Sequence, residues 1–125
     1  MRYMMLIYSN EPREVSERNY EPHRVLMEEA TRAGVFVAAE PLAPPSSTTT
    51  LRIQDDRTFI TDGPFAESKE QLAGYYIFDC ENLDHAIEWA TKIQTACTAS
   101  VLIEIRPMPG MPTLAASDST AADRA

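Results

Sequence analysis

The sequence predicts an α+β domain of the βαββαβ type with an inserted β-hairpin, in which an antiparallel sheet carries two helices on one face. Short apolar runs with strand character alternate with two amphipathic stretches of helical spacing. The length of 125 residues is that of a single domain. A hydrophobic content of 44% is typical of a chain that buries a core, so a disordered chain is not expected.

The first strand and the first helix lie in the N-terminal third. The run Tyr3 to Tyr8 has the length and aromatic content of a buried strand. Proline is disfavoured deep inside a helix, so we expect the main helix to begin near Glu21, with Pro22 in its first position. Ser16 is a candidate cap for a short preceding turn, and Gly34 is expected to end the helix. One face of this helix has residues spaced by three and four positions: Tyr20, His23, Met27 and Ala30.

The central third reads as one strand, a proline-rich loop and a hairpin. The second strand covers Val35 to Ala39, and the loop runs from Pro41 to Ser47. The stretches Thr48–Ile53 and Thr58–Thr61 flank a polar turn and predict a β-hairpin. Asp62, followed by Gly63 and Pro64, ends it, and the mostly polar stretch from 65 to 72 predicts a helical turn or a loop.

The last third predicts a strand, a helix and a strand. Gly74 to Asp79 is an aromatic-rich strand, Asn82 is a suitable N-cap, and Ser100 to Arg106 is the closing strand. Trp89 is expected at the edge of the apolar stripe of the second helix, which contains Leu83, Ala86, Ile87, Ala90 and Ile93. The domain is therefore expected to span residues 1–107. A flexible extension rich in Pro, Ala and Ser covers residues 108–125.

The strands are apolar on both faces, which predicts a homodimer. In the first strand Met4, Leu6 and Tyr8 alternate with three further apolar residues. Helices on one side of the sheet leave the other side bare, and a large exposed apolar patch is unusual on a monomer. A second copy of the same sheet is the simplest cover, giving a two-fold dimer.

Charge and motif content narrow the partners and cofactors. The chain has 11 basic and 19 acidic side chains, a formal net charge of -8, and no basic cluster, so we expect no nucleic acid or membrane partner. The N-terminal apolar run is too short for a signal peptide, so the default compartment is the cytosol, in keeping with Cys80 and Cys97 as reduced thiols. Two histidines and no phosphate-binding motif predict neither a metal nor a nucleotide cofactor.

His23 and Asp62 are the candidate catalytic residues. The imidazole of His23 exchanges protons near neutral pH and shares a helix face with residues that point inward. The carboxylate of Asp62, held on a rigid turn, would orient that imidazole if the two met. The plainer alternatives are a core histidine satisfied by a carbonyl and an Asp-Gly turn with only a folding role.

Aromatic residues near the turn are candidates for binding a substrate. Phe65 follows the turn, and Tyr75 and Tyr76 point to opposite faces of their strand, so at most one of these tyrosines lines a cleft with Asp62. Packing within the sheet is the alternative for either tyrosine. Surface roles are expected for His85 and for the charged run Glu67, Lys69 and Glu70. Arg52 and Arg106 end or flank strands and are candidates for binding an anion, with solvation at the strand edge as the default. Cys97 is a candidate nucleophile, but a thiol without an activating neighbour in the sequence is more often inert.

Residues 62–76, which read DGPFAESKEQLAGYY, resemble the signature of the DGPF group of YCII-related proteins. The opening strand, the second helix from residue 82 and the closing Glu104-Ile105-Arg106-Pro107 agree with this resemblance, which covers about residues 1–107. It implies a ferredoxin-like domain that dimerises as an α+β barrel. It also implies an acid–base pair made by a histidine of the first helix, matched by His23, and an aspartate on a following loop, matched by Asp62. Gln94 after Ile93, and Ser100 near an expected Gly, depart from the family pattern.

Three functional hypotheses stay open at the level of sequence. The first is a cofactor-independent enzyme in which the His23–Asp62 pair acts on a small polar molecule; the resemblance extends to some small-molecule lyases and dehalogenating enzymes. The second is a non-catalytic ligand-binding or regulatory module, because the resemblance also links DGPF domains with sigma-factor-like regulators. The third is a structural role for the turn, which predicts a dimer without a cavity.

Overall fold

The computed structural model describes residues 1–10, 17–66, 68–97 and 100–111. The predicted cap Ser16, Glu67 of the charged run and most of the extension at 108–125 lie outside these residues. Eight helices and strands of the predicted α+β type follow one another along the described chain: β1 (Arg2–Ser9), α1 (Glu17–Arg32), β2 (Phe36–Pro41), β3 (Thr49–Gln54), β4 (Arg57–Asp62), β5 (Gln71–Asp79), α2 (Leu83–Ala96) and β6 (Val101–Met108).

Four strands form the main sheet in the order β2-β5-β1-β6, and every neighbouring pair is antiparallel. The helix α1 connects β1 to β2, and β5 lies between those two strands, as a split βαβ unit requires. This arrangement is compatible with a ferredoxin-like fold. The strands β3 and β4 form a separate two-stranded sheet, which is the predicted hairpin insertion.

The core lies between the main sheet and the two helices. Along β1, Tyr3, Met5 and Ile7 are buried, whereas the residues between them are partly exposed. This alternation follows from the two-residue period of a strand, whose successive side chains point to opposite faces. The buried residues join one cluster with Leu26 and Ala30 of α1 and with the inner face of α2, so both helices cover the same side of the sheet.

Helix α1 corrects the predicted start near Glu21. It begins at Glu17 and continues through Pro22, which therefore lies inside the helix and not in its first position. The first N–H groups of any helix lack a partner within it, and Pro22 lies only in the second turn. The proline therefore removes a single backbone hydrogen bond near the helix end, where the cost is smaller than in the middle of a long helix.

The end of α1 is fixed by Gly34, as predicted. Its φ of 77° lies in the left-handed region, which an L side chain rarely adopts. The backbone N–H of Gly34 donates to the carbonyl of Thr31, and that of Val35 donates to the carbonyl of Ala30, each at 3.0 Å. These two bonds define a Schellman motif, which satisfies carbonyl groups that would otherwise be unpaired and turns the chain into β2.

Helix α2 begins as predicted, and three residues of the predicted stripe are buried, Ala86, Ala90 and Ile93, but the buried face is shifted toward Trp89. The side chain of Asn82 accepts a hydrogen bond from the backbone N–H of His85 at 2.9 Å, so Asn82 is the N-cap. Leu83 and Ile87, both assigned to the buried stripe, are 53% and 45% exposed, whereas Trp89 is 6% exposed. The Trp89 ring contacts the fully buried Phe78 ring at a centroid distance of 5.5 Å. Burying this larger ring rotates α2 away from the predicted orientation.

The hairpin turn is built from two aspartates. Asp55 and Asp56 have φ values of 53° and 64°, the left-handed conformation that a two-residue type I′ turn requires at both positions. The paired residues run from Thr49 opposite Asp62 to Gln54 opposite Arg57, within one residue of the predicted ends. The backbone N–H of Gly63 donates to the carbonyl of Thr48 at 2.7 Å and closes the base of the hairpin.

Gly74 lies close against the backbone of β2, and we expect Gly74→Ala to destabilise the protein. A Cβ at this position would lie 2.9 Å from the carbonyl oxygen of Glu40 and 3.2 Å from the Cα of Pro41. Both are backbone atoms, so the strand itself would have to shift, at a cost of about 1–3 kcal/mol in the free energy of unfolding. Urea denaturation measures this change, and an unchanged unfolding midpoint would show that the strands do not pack this tightly.

Candidate functional site

The candidate site lies where the first half of α1 meets the end of α2. The two helices run antiparallel, because Glu29 in α1 contacts Lys92 in α2 with the Nζ–Oε2 atoms 3.0 Å apart, and His23 lies beside Cys97. Cys97 is the C-cap of α2. The side chains from both helices meet Tyr76 of β5, which points from the sheet toward the helices.

His23 and Tyr76 form the central contact of the site. The Nδ1 atom of His23 lies 2.5 Å from the Oη atom of Tyr76, although 53 residues separate them in sequence. The two rings are tilted by 32° with centroids 5.9 Å apart. Tyr76 is only 3% exposed, whereas His23 is partly exposed. The phenol is therefore buried, whereas His23 keeps part of its surface accessible to solvent.

Burial keeps all three side chains of the site uncharged at neutral pH. Desolvation lowers the pKa of His23 below its usual value of 6.5. Desolvation also raises the pKa of Tyr76, with smaller effects from Cys97 and Tyr20 in the same direction. The pKa of the Cys97 thiol is raised by burial as well. A neutral imidazole next to a protonated phenol is a group ready to accept a proton.

Cys97 belongs to this site, although its sequence context showed no activating neighbour. Its Sγ atom lies 4.0 Å from Nε2 of His23, the imidazole nitrogen opposite the one that contacts Tyr76. The separation of 74 positions between Cys97 and His23 hides this proximity from any spacing rule. The proximity of Cys97 and His23 follows from the antiparallel packing of α1 on α2, which the sequence alone does not show.

Asp62 and Phe65 lie elsewhere. Asp62 is the last residue of β4 and is exposed, and no hydrogen bond or ion pair joins it to His23 among the residues described. Phe65 is 80% exposed and lines a shallow cavity on the hairpin. Within one chain the structure thus brings His23 to Tyr76 and leaves Asp62 apart. The role predicted for the His23–Asp62 pair stays a prediction.

Tyr75 and Tyr76 lie on opposite faces of β5, as the alternation of a strand predicts. Tyr76 is buried under the helices, while Tyr75 is partly exposed on the other face, opposite Leu6 of β1. His85 serves the start of α2, where its Nδ1 atom lies 3.1 Å from the backbone N–H of Glu81. Arg106 pairs with Met4 across the sheet and is exposed.

The described residues contain neither a candidate metal-ligand cluster nor a candidate membrane-spanning helix. No group of three or more His, Cys, Asp or Glu side chains in the described ranges is arranged to hold a metal ion. Neither described helix has the length and apolar composition to cross a bilayer.

Comparison with known proteins places the chain in a family. An uncharacterised protein of Rhizobium meliloti (strain 1021) is 33% identical over 114 residues, covering 86% of this chain and 92% of the relative. The model of the YCII-related domain matches residues 1–108, which include every helix and strand described above. The chain therefore belongs to the YCII-related domain family.

Proposed function

We propose that this protein is an enzyme that moves a proton on a small polar molecule without a cofactor, with His23 as the general base. The observation that carries the proposal is the 2.5 Å contact between His23 Nδ1 and Tyr76 Oη at a partly exposed position. A base must be uncharged, oriented and reachable. Burial supplies the first property, the contact with Tyr76 the second, and the partial exposure of the residue the third.

The proposal requires one of the two imidazole tautomers, since the contact of Nδ1 with Tyr76 is compatible with a proton on either nitrogen. In the base form, Nδ1–H donates to Tyr76 Oη and the lone pair lies on Nε2, on the side of Cys97. When Nε2 accepts a proton from the substrate, the resulting imidazolium keeps its hydrogen bond to Tyr76. The raised pKa of Tyr76 means that the phenol stays protonated, so it holds the imidazole in place and does not itself act as the base.

In this proposal Tyr76 is the positioning residue within one chain. Asp62 would take part only by reaching His23 from a second copy or after the hairpin has moved. The two residues are therefore tested separately below.

We expect the protein to accelerate the exchange of carbon-bound hydrogen for deuterium in at least one member of a panel of small keto acids and lactones in D2O. His23→Asn should lower that rate by about 100-fold or more, because general-base catalysis contributes on this scale. Loss of the proton NMR signal of each compound measures the exchange. His85→Asn is the matched control, since it removes the other imidazole and leaves the contact with Tyr76 intact.

Two further variants in the same assay separate the partners of His23. Tyr76→Phe removes the hydroxyl group and should lower the exchange rate, since the imidazole loses its orientation. Asp62→Asn should leave the rate unchanged if Tyr76 alone orients His23. Equal rates for the wild-type protein and His23→Asn would contradict the proposal.

The lowered pKa of His23 also predicts how stability depends on pH. The unfolded state binds a proton near pH 6.5, whereas the folded state binds it only at lower pH, so protonation favours unfolding. The contribution of His23 is therefore complete above pH 6.5 and is lost as the pH falls through the folded-state pKa. Urea denaturation between pH 7 and 5 should show this loss in the wild-type protein. A variant with His23→Asn that loses stability equally over this range would rule out the buried neutral imidazole.

We further propose that the protein is a homodimer in which two main sheets pack face to face as an α+β barrel. The sheet face opposite the helices carries apolar residues on its central strands: Met4, Leu6, Tyr8, Tyr75 and Ile77. Glu104 and Arg106 lie on the same face along the edge strand β6, opposite Leu6 and Met4. An apolar centre with a charged rim is typical of a protein interface.

Light scattering after size exclusion should give twice the mass of one chain, 14.0 kDa. Leu6→Glu would place a charge at the apolar centre of the face and should shift the protein toward the monomer, because an unpaired charge is costly to bury. Leu83→Glu is the matched control, because Leu83 is exposed on α2. A wild-type protein that elutes as a monomer would refute the dimer.

A non-catalytic ligand-binding role is the second candidate function. It is supported by the separation of Asp62 and Phe65 from His23. The turn that contains the signature then belongs to a different surface, on the hairpin. Under this alternative, a ligand would still bind after His23→Asn, and no member of the panel would exchange its hydrogen.

A further inference from the structure

The hairpin carries a shallow cavity that the proposed catalytic function does not use. Its volume is about 120 Å³. Residues from both strands and from the turn that follows line it: Thr50, Arg52, Phe59, Thr61, Pro64 and Phe65. Arg52 faces Phe59 across the hairpin and Thr50 faces Thr61, so these four side chains project from the same side of the two strands.

The described lining of the cavity contains one cationic side chain and no carboxylate, in a protein that is acidic as a whole. The whole chain has a net charge of -8, yet the described lining residues include Arg52 and no carboxylate. Arg52 forms no ion pair or hydrogen bond with any described residue. Arg57 adds a second cation at the rim, with its guanidinium carbon 5.5 Å from the centre of the Phe59 ring. An anion is therefore the charge that this cavity attracts.

The polar groups of the cavity limit the kind of anion. The hydroxyl of Thr50 donates to the carbonyl of Gly63 at 2.7 Å and is already engaged. The hydroxyl of Thr61 has no hydrogen bond within the described ranges, so it and the guanidinium of Arg52 are the available donors of the lining. A guanidinium fork and one hydroxyl match a planar carboxylate with two oxygens. A phosphate group would keep further oxygens without a donor.

The size and the aromatic walls determine the rest of the ligand. Phe59 and Phe65 are 42% and 80% exposed, and exposed aromatic rings of this kind offer flat apolar surface to a bound ring. A dry, enclosed cavity of about 150 Å³ holds benzene in another protein. The hairpin cavity, at about 120 Å³, is smaller but open, so it accommodates part of one ring and leaves the rest in solvent. We propose that the hairpin cavity binds a small aromatic carboxylate, with Arg52 and Thr61 on the carboxylate and Phe59 and Phe65 against the ring.

This inference is independent of the catalytic proposal. The cavity is formed by β3, β4 and the following turn, whereas His23, Tyr76 and Cys97 meet between the helices and β5. Each proposal can therefore fail without the other. A ligand held at the hairpin would give the protein a recognition site whether or not His23 is catalytic.

Sodium benzoate is the probe, added to the full-length ¹⁵N-labelled protein in an NMR titration. We expect saturable amide shifts confined to residues 49–65, about tenfold weaker binding in Arg52→Gln, and unchanged binding in Arg32→Gln. Arg32 is the matched control because it is exposed in the last turn of α1. Acetate, which lacks the ring, and benzyl alcohol, which lacks the charge, should each bind at least tenfold more weakly than benzoate.

The outcomes separate clearly. Benzoate shifts that are absent, that spread over the whole protein, or that persist in Arg52→Gln would overturn the proposal, as would benzyl alcohol binding as tightly as benzoate. Should Arg52→Gln fail to fold, the salt dependence of the wild-type protein decides. Raising NaCl from 50 to 500 mM should weaken benzoate binding severalfold, and an affinity unaffected by salt would refute the ion pair.

Discussion

A buried hydroxyl must find a hydrogen-bond partner, and in this protein that constraint links the helices to the sheet. Tyr76 is almost fully buried under the helices, where an unpaired phenol would cost about 1–3 kcal/mol. His23 is the partner, reached from α1 across a long stretch of sequence. The same contact therefore helps to hold α1 on β5 and sets the orientation of the imidazole, so one hydrogen bond contributes to both the packing of the helix and the geometry of the site.

The sequence predicted the elements well because their signals are local. The alternation in β1, the left-handed Gly34 and the N-cap Asn82 each depend on a few neighbouring residues. The errors arose where packing outweighs local preference. Helix α1 has a further turn on the N-terminal side of Pro22, and this turn forms although the proline cannot donate one backbone hydrogen bond. Trp89 takes the buried position that the periodicity assigned to other residues of α2, because its ring packs on the aromatic core of β5.

The site was less predictable than the fold. His23 was identified from its residue type and its helix face, but its partners are fixed by contacts between distant segments, which no spacing rule reveals. Tyr76 was one of two adjacent candidates, and only the register of β5 shows which of them faces the helices. Cys97 was not predicted as a site residue, because the side chain beside it, His23, belongs to the other helix. Asp62 carried a strong turn signal, yet the hairpin forms its own small sheet and holds that carboxylate away from α1.

The packing of Trp89 has a practical consequence, because the chain contains a single tryptophan. Its indole is enclosed between the Phe78 ring and the ammonium group of Lys92, which lies 5.4 Å from the ring centre. Tryptophan fluorescence, excited selectively over the five tyrosines, therefore arises from one place only, the seam between α2 and the sheet. The emission of Trp89 therefore reports on the packing of α2 against the sheet. The indole lies apart from the hairpin and needs no added label.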